Sequence, residues 1–142
     1  DFEERTPIPD IDVIYYDLVN FDEHVEKEYE EILNSLLPTI PWSVKNQARM
    51  HIVNNIPPYF SSRDAISKFP ETATALGVKL DDKNKVILAA PHGIDDLVNL
   101  KVKPTLFFHE PECRKLVYED RVKTKNWQAI WNKVEVLGFE TD

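Results

Sequence analysis

The segment from Asn20 to Pro38 constrains the fold most. Apolar residues recur there at Phe21, Val25, Tyr29, Ile32, Leu33, Leu36 and Leu37, while Asp22, Glu23, Glu26, Lys27, Glu28, Glu30 and Glu31 take the other positions. Spacings of three and four predict an amphipathic helix with one apolar stripe turned to a core. Asn20 followed by Glu23 has the pattern of a capping box at its start, and Pro38 stops it.

Strand-forming runs flank this helix. Asp10 to Asp17 is rich in β-branched and aromatic residues, and alternation places Ile11, Val13 and Tyr15 on one face and Asp10, Asp12, Ile14 and Tyr16 on the other. Trp42 to His51 reads as a second long strand, with Trp42, Val44, Ala48 and Met50 on one parity. Ser43, Lys45, Gln47, Arg49 and His51 fall on the other, and Asn46 is the polar exception on the apolar side. Asn54 to Pro58 is a turn, Ser61 or Ser62 caps a short helix that runs through Ala65 to Phe69, and Glu71 to Leu76 is expected to add a turn or two of helix before Gly77.

Further on, the charged turn from Asp81 to Lys85 between Val78–Leu80 and Val86–Ala90 predicts a hairpin. A loop from His92 runs into a short helix at Asp95–Leu97, and Leu100 to Leu106 reads as a last short strand. The tail from Pro111 to Leu137 reads as helical through Leu116, Val117, Val122, Trp127, Ile130, Trp131 and Val134. With no repeat, linker or low-complexity tract to divide it, residues 1–142 read as one domain.

Composition narrows the classes. The chain has 142 residues, 42% of them hydrophobic and 30% charged, as in an ordinary globular protein. No apolar run approaches the roughly 20 residues of a spanning helix, so membrane spanning is not expected. The net charge of −8 does not indicate nucleic-acid binding, which needs clustered cations. A single cysteine, Cys113, supplies no internal disulfide and fits a cytoplasmic protein. The start at Asp1 reads as a piece excised from a longer protein.

The pair Asp10 and Asp12 is the most suggestive chemistry. Residues two apart on a strand lie about 6.6 Å apart along it and share a face, so two carboxylates there can converge on a hard cation. Magnesium keeps several positions for water or substrate phosphate, and such ions align and neutralise the groups in phosphoryl transfer. The plainer reading is two solvated acids at the head of a strand. Lys45 and Arg49, on the polar parity of the second strand, would hold phosphate oxygens as a point charge and as a fork. Asp95 and Asp96 read as complements to a helix dipole, and the four histidines have no ligand spacing. Cys113 lacks a patterned His partner, and Trp42, Trp127 and Trp131 read as core anchors.

The stretches DIDVIYYD, PWSVKNQARMHIVNN, SSRDAISKFPETATALGVKL and APHGIDDL followed by KVKPT together resemble a family of small bacterial nucleotidyltransferase-like proteins with the DNA polymerase beta type of fold. The resemblance implies an α+β nucleotidyltransferase fold: a mixed β-sheet with helices packed on one face and a catalytic face on the other. It makes Asp10 and Asp12 the catalytic, metal-binding pair and implies a nucleoside triphosphate held with two Mg2+ ions. Ser43, Lys45, Asn46 and Arg49 become the substrate-binding residues, and the acceptor is unknown.

Two departures stand against that pattern. The superfamily's Gly-rich loop at a helix start belongs upstream of the Asp pair, yet Gly77, Gly93 and Gly138 all come later, which again suggests a missing upstream segment. A third carboxylate is expected on the second strand, where only Ser43, Val44, Lys45, Asn46 and Gln47 stand. Asn46 can lend a carbonyl oxygen, but its parity is wrong unless the strand carries a bulge. The alternative reading is therefore a catalytically inactive protein of the same fold that binds a nucleotide, an anion or a protein partner.

Overall fold

The first structural unit is a strand, a helix and a parallel strand. In the computed structural model, which describes residues 6–139, β1 (Ile11–Tyr15) leads through α1 (Glu23–Leu36) to β2 (Trp42–Asn46). β1 and β2 pair in parallel, with Asp12 opposite Ser43, Val13 opposite Val44 and Ile14 opposite Lys45. A 3-10 turn at Gln47–Arg49, α2 (Met50–Asn54) and α3 (Ser62–Ser67) follow. Contacts divide the chain into two units between Ala65 and Ile66.

The capping of α1 differs from the expected box. Asp22, two residues after Asn20, accepts from the His24 N–H at 2.9 Å, while the Asn20 side chain accepts from the Asp22 N–H. The stripe is also turned. Glu26 is the buried residue of α1, at 0% exposure, whereas Leu36 is 70% exposed and Tyr29 and Ile32 are exposed with it. The cause lies in what α1 packs against: β2 offers a backbone N–H at Val44, which donates to Glu30 Oε1 at 3.0 Å. A helix laid along unpaired strand donors is held by acceptors, so part of its polar side faces inward.

β2 stops at Asn46, and the expected strand over 47–51 is replaced by helical turns. Asn46 Oδ1 accepts from the Ala48 N–H at 3.0 Å, capping the 3-10 turn, and from the Asp17 N–H at 3.0 Å. Its Nδ2 donates to the carbonyls of Asp17 and Asn20. This buried amide thus closes the end of β1, the entry to α1 and the end of β2 in one set of hydrogen bonds. Asn46→Asp keeps both accepted bonds and loses both donated ones, setting a carboxylate against two carbonyls. The expected cost is about 2–3 kcal/mol, read as a lower urea midpoint at constant m.

The second unit begins at Ile66. β3 (Gly77–Leu80) and β4 (Val86–Ala89) form the expected antiparallel hairpin, and α4 (Asp95–Val98) the expected short helix. The helix expected at Glu71–Leu76 is absent. Glu71 instead bridges to Pro104, the Thr72 N–H donates to the Lys103 carbonyl, and the Thr105 N–H donates to the Pro70 carbonyl. Pairing with a distant segment outweighs the weak helical preference of Glu-Thr-Ala-Thr. The strand expected at Leu100–Leu106 shrinks to β5 (Lys101–Val102), since Pro104 cannot donate to a ladder.

The tail is helical over α5 (Glu112–Lys125) and α6 (Trp127–Ile130), then forms β6 (Glu135–Val136), parallel to β5. Glu71, fully buried, takes the Arg121 fork at 2.6 and 3.2 Å and the Thr74 hydroxyl at 2.7 Å. Tyr118 donates to the Leu137 carbonyl, and burial, with the Glu71 charge nearby, pushes its phenol up to about 12. Among the described residues, parallel and antiparallel pairs therefore coexist in three two-stranded sheets between helices, the mixed α+β character expected. No helix among the described residues is long and apolar enough to cross a membrane.

Candidate functional site

Asp10 and Asp12 stand at the head of β1, and both are exposed. Asp12 lies opposite Ser43 and Ile14 opposite Lys45, and directly paired residues present their side chains on one face, so Asp12, Ser43 and Lys45 share a face of the β1·β2 pair, with Asp10 just before the first paired residue. On the other face Tyr15 meets the Tyr29 ring of α1 edge-on at 5.5 Å. The backbone register thus sets Asp12, Ser43 and Lys45, three of the residues singled out in the sequence, on one side of the pair.

Asn46 and Arg49 are placed differently. Asn46 is 1% exposed and its amide is committed to the four bonds described above. Arg49 does not lie on the strand face, because the chain has already turned into the 3-10 segment. It is 8% exposed and grips Glu26 with Nε and with Nη2, the latter at 2.8 Å, while Nη1 lies 3.5 Å from Glu23. That carboxylate fork holds the guanidinium firmly charged, raising its pKa against the opposing effect of burial. Lys45 leans to the same centre, with Nζ 3.8 Å from Glu26 Oε1, yet its side chain stays 41% exposed.

Sequence reasoning missed Glu26 and Glu30, which helical periodicity had assigned to solvent. The one available signal was the excess of acids on α1 over what a solvated face needs. The Val44 N–H, ahead of the Lys27 and Lys45 charges, holds the Glu30 carboxyl below its ordinary 4.5. A lowered folded-state pKa contributes stability above the unfolded value, lost as pH falls through the folded one. Glu30→Gln is therefore expected to flatten the decline in Tm below about pH 4.5, leaving the neutral-pH slope unchanged. A pH series of thermal melts on both proteins checks it. Tyr15 Oη and His51 Nδ1 are buried with no hydrogen-bond partner among the described residues, and burial, then the Glu26 charge, raises the Tyr15 phenol.

The donor set bears on which cation this face can take. No group of three or more His, Cys, Asp or Glu side chains among the described residues is arranged to hold a metal. Two exposed carboxylates without a third suit magnesium carried by a polyphosphate, since that ion uses one or two carboxylates and completes its shell with waters and phosphate oxygens. They do not suit an ion held by protein alone.

A parallel βαβ start with paired acids at the first strand's head defines the class. The chain belongs to the nucleotidyltransferase family, whose model matches residues 1–136. It is similar to a solved NMR structure described as revealing a CCA-adding enzyme head domain, at 37% identity and a TM-score of 0.80, over 92% of this chain and 68% of the other. The fold is accordingly a nucleotidyltransferase fold. No curated protein matches the chain.

Proposed function

We propose that this chain carries the triphosphate-binding face of a magnesium-dependent nucleotidyltransferase. The observation that carries the reading is the shared face of Asp12, Ser43 and Lys45, with Asp10 two residues before Asp12, in a chain of that family. Asp10 and Asp12 would hold the ion, which when bound neutralises the triphosphate and polarises the reacting phosphoryl group. Ser43 donates its hydroxyl to a phosphate oxygen, and Lys45, drawn loosely to Glu26, swings its ammonium onto the phosphates. Asn46 and Arg49 act as positioning residues: one closes the strand ends, and the other ties α1 to the turn after β2. An acceptor hydroxyl attacks the α-phosphorus and gives its proton to solvent, the bond to the bridging oxygen breaks, and pyrophosphate leaves with the electron pair.

The related structure is described as revealing a CCA-adding enzyme head domain, so a nucleic-acid 3′-hydroxyl is the first acceptor to test. A second reading, a nucleotide or anion binder without turnover, is favoured by the lack of a third carboxylate beside the pair among the described residues. An amide NMR titration with magnesium and each nucleoside triphosphate tests the site itself. Shifts are expected at Asp10–Val13 and Ser43–Lys45 and are expected to vanish in Asp12→Asn; a silent wild-type spectrum would overturn both readings. Pyrophosphate release then separates enzyme from binder.

A further inference from the structure

A concave site lies wholly within the unit that begins at Ile66. Leu97, Leu100, Val102, Trp127, Trp131 and Val134 line a cavity of about 400 Å³, a volume in the range of small-molecule sites. Val102 and Val134 are buried, and Leu97 is exposed. Leu100 keeps the wall apolar at a cost. It is held at φ 55°, left-handed backbone just past the end of α4, where glycine or asparagine ordinarily stands and a bulky L-residue is strained. Such a wall holds water poorly, because an ordered water needs about two to four polar partners, and it suits an apolar occupant.

The charge of that occupant follows from the polar side chains in the wall. Besides the indoles these are Thr74, Asp96 and Lys101. The Thr74 hydroxyl donates to Glu71 Oε2 at 2.7 Å. Asp96 Oδ2 accepts from the Thr72 hydroxyl at 2.6 Å and lies 3.4 Å from Lys103 Nζ, so its charge is already compensated. Lys101 is exposed and makes no ion pair among the described residues, although Glu135 stands opposite it in the β5·β6 register. The uncompensated charge of the wall is therefore positive, and a compact ammonium on a flexible stem takes a carboxylate as a point charge. We infer that this cavity binds a fatty carboxylate of medium chain length, its aliphatic tail against the leucines, valines and indoles and its carboxylate at Lys101. The inference needs neither a metal nor a nucleotide and goes beyond the transfer reading.

The test is an NMR titration of the chain with hexanoate, octanoate and decanoate, each below its micelle concentration. Shifts are expected at the indole N–H signals of Trp127 and Trp131 and at the Leu100 amide. Affinity is expected to rise about fourfold per added methylene, the ratio that burial of one such group gives. Decylammonium, with the decanoate chain length and the opposite charge, is expected to bind at least about threefold more weakly. Lys101→Gln is expected to remove that difference, which is the size of a solvent-exposed ion pair. Leu97→Trp, which fills the cavity from an exposed position, is expected to abolish binding. The inference is overturned if decanoate leaves those signals unmoved, if affinity does not rise with chain length, if decylammonium binds wild type as tightly, or if folded Leu97→Trp binds unchanged. Shifts there with adenosine or cytidine, and none with decanoate, would overturn it as well. The wild-type series decides alone should a variant fail to fold.

Discussion

Glu26→Ala is expected to destabilise the protein by about 3–5 kcal/mol, the usual penalty for stranding one member of a buried ion pair. The Arg49 guanidinium is 8% exposed, and Glu26 is the acceptor of its fork. Without Glu26 that charge keeps, among the described residues, the looser Glu23 contact at 3.5 Å, to a largely exposed carboxylate. Lys45 loses the same anchor and leaves a second cation beside the first. Against a typical total of about 5–15 kcal/mol the loss is large, and urea denaturation should show it as a fall in midpoint.

The pair and its geometry predict more than a loss. Glu26→Leu combined with Arg49→Met removes both charges and fills similar volume, and is expected to recover most of the stability lost by Glu26→Ala alone. The double-mutant cycle isolates the coupling from the packing of either side chain. A Glu26→Ala cost under about 1 kcal/mol would mean the pair behaves as a solvent-screened surface contact, contrary to its burial.

The same pair marks where sequence reasoning ran out. Elements decided locally were legible: the 77–89 hairpin from its charged turn, the short helix at Asp95, and α1 from its apolar spacing. What failed depended on partners far along the chain. Alternation from Trp42 to His51 continues smoothly past Asn46, and only its amide bonds to Asp17 and Asn20 end the strand there. Polarity placed Glu26 in solvent because its partner, Arg49, lies 23 residues on and had itself been read as a strand residue. The turn at Glu71 likewise answers to Lys103 and Pro104. Within the candidate site, the parities of Asp12, Ser43 and Lys45 were legible from alternation along each strand, and the parallel register then sets them on one face. Arg49 was not, since its role is set by a helix that packs across it.

Asp12→Asn is expected to lower nucleotidyl transfer, assayed as pyrophosphate release, at least about 100-fold, close to 2.7 kcal/mol of transition-state stabilisation. The substitution keeps size and hydrogen bonding but removes one of the two negative charges that a hard cation requires. Because Asp12 is exposed and sits on β1 opposite Ser43, stability should stay within about 0.5 kcal/mol of wild type, unlike Glu26→Ala. This contrast separates a site residue from a structural one: one variant loses turnover and keeps its fold, and the other loses its fold. Asp10→Asn should follow Asp12→Asn. Combining them should cost much less than the sum, since two ligands of one ion act as a unit. If each alone left pyrophosphate release within about threefold of wild type, the carboxylates would be solvated acids at a strand's head, and the triphosphate would have to be held elsewhere.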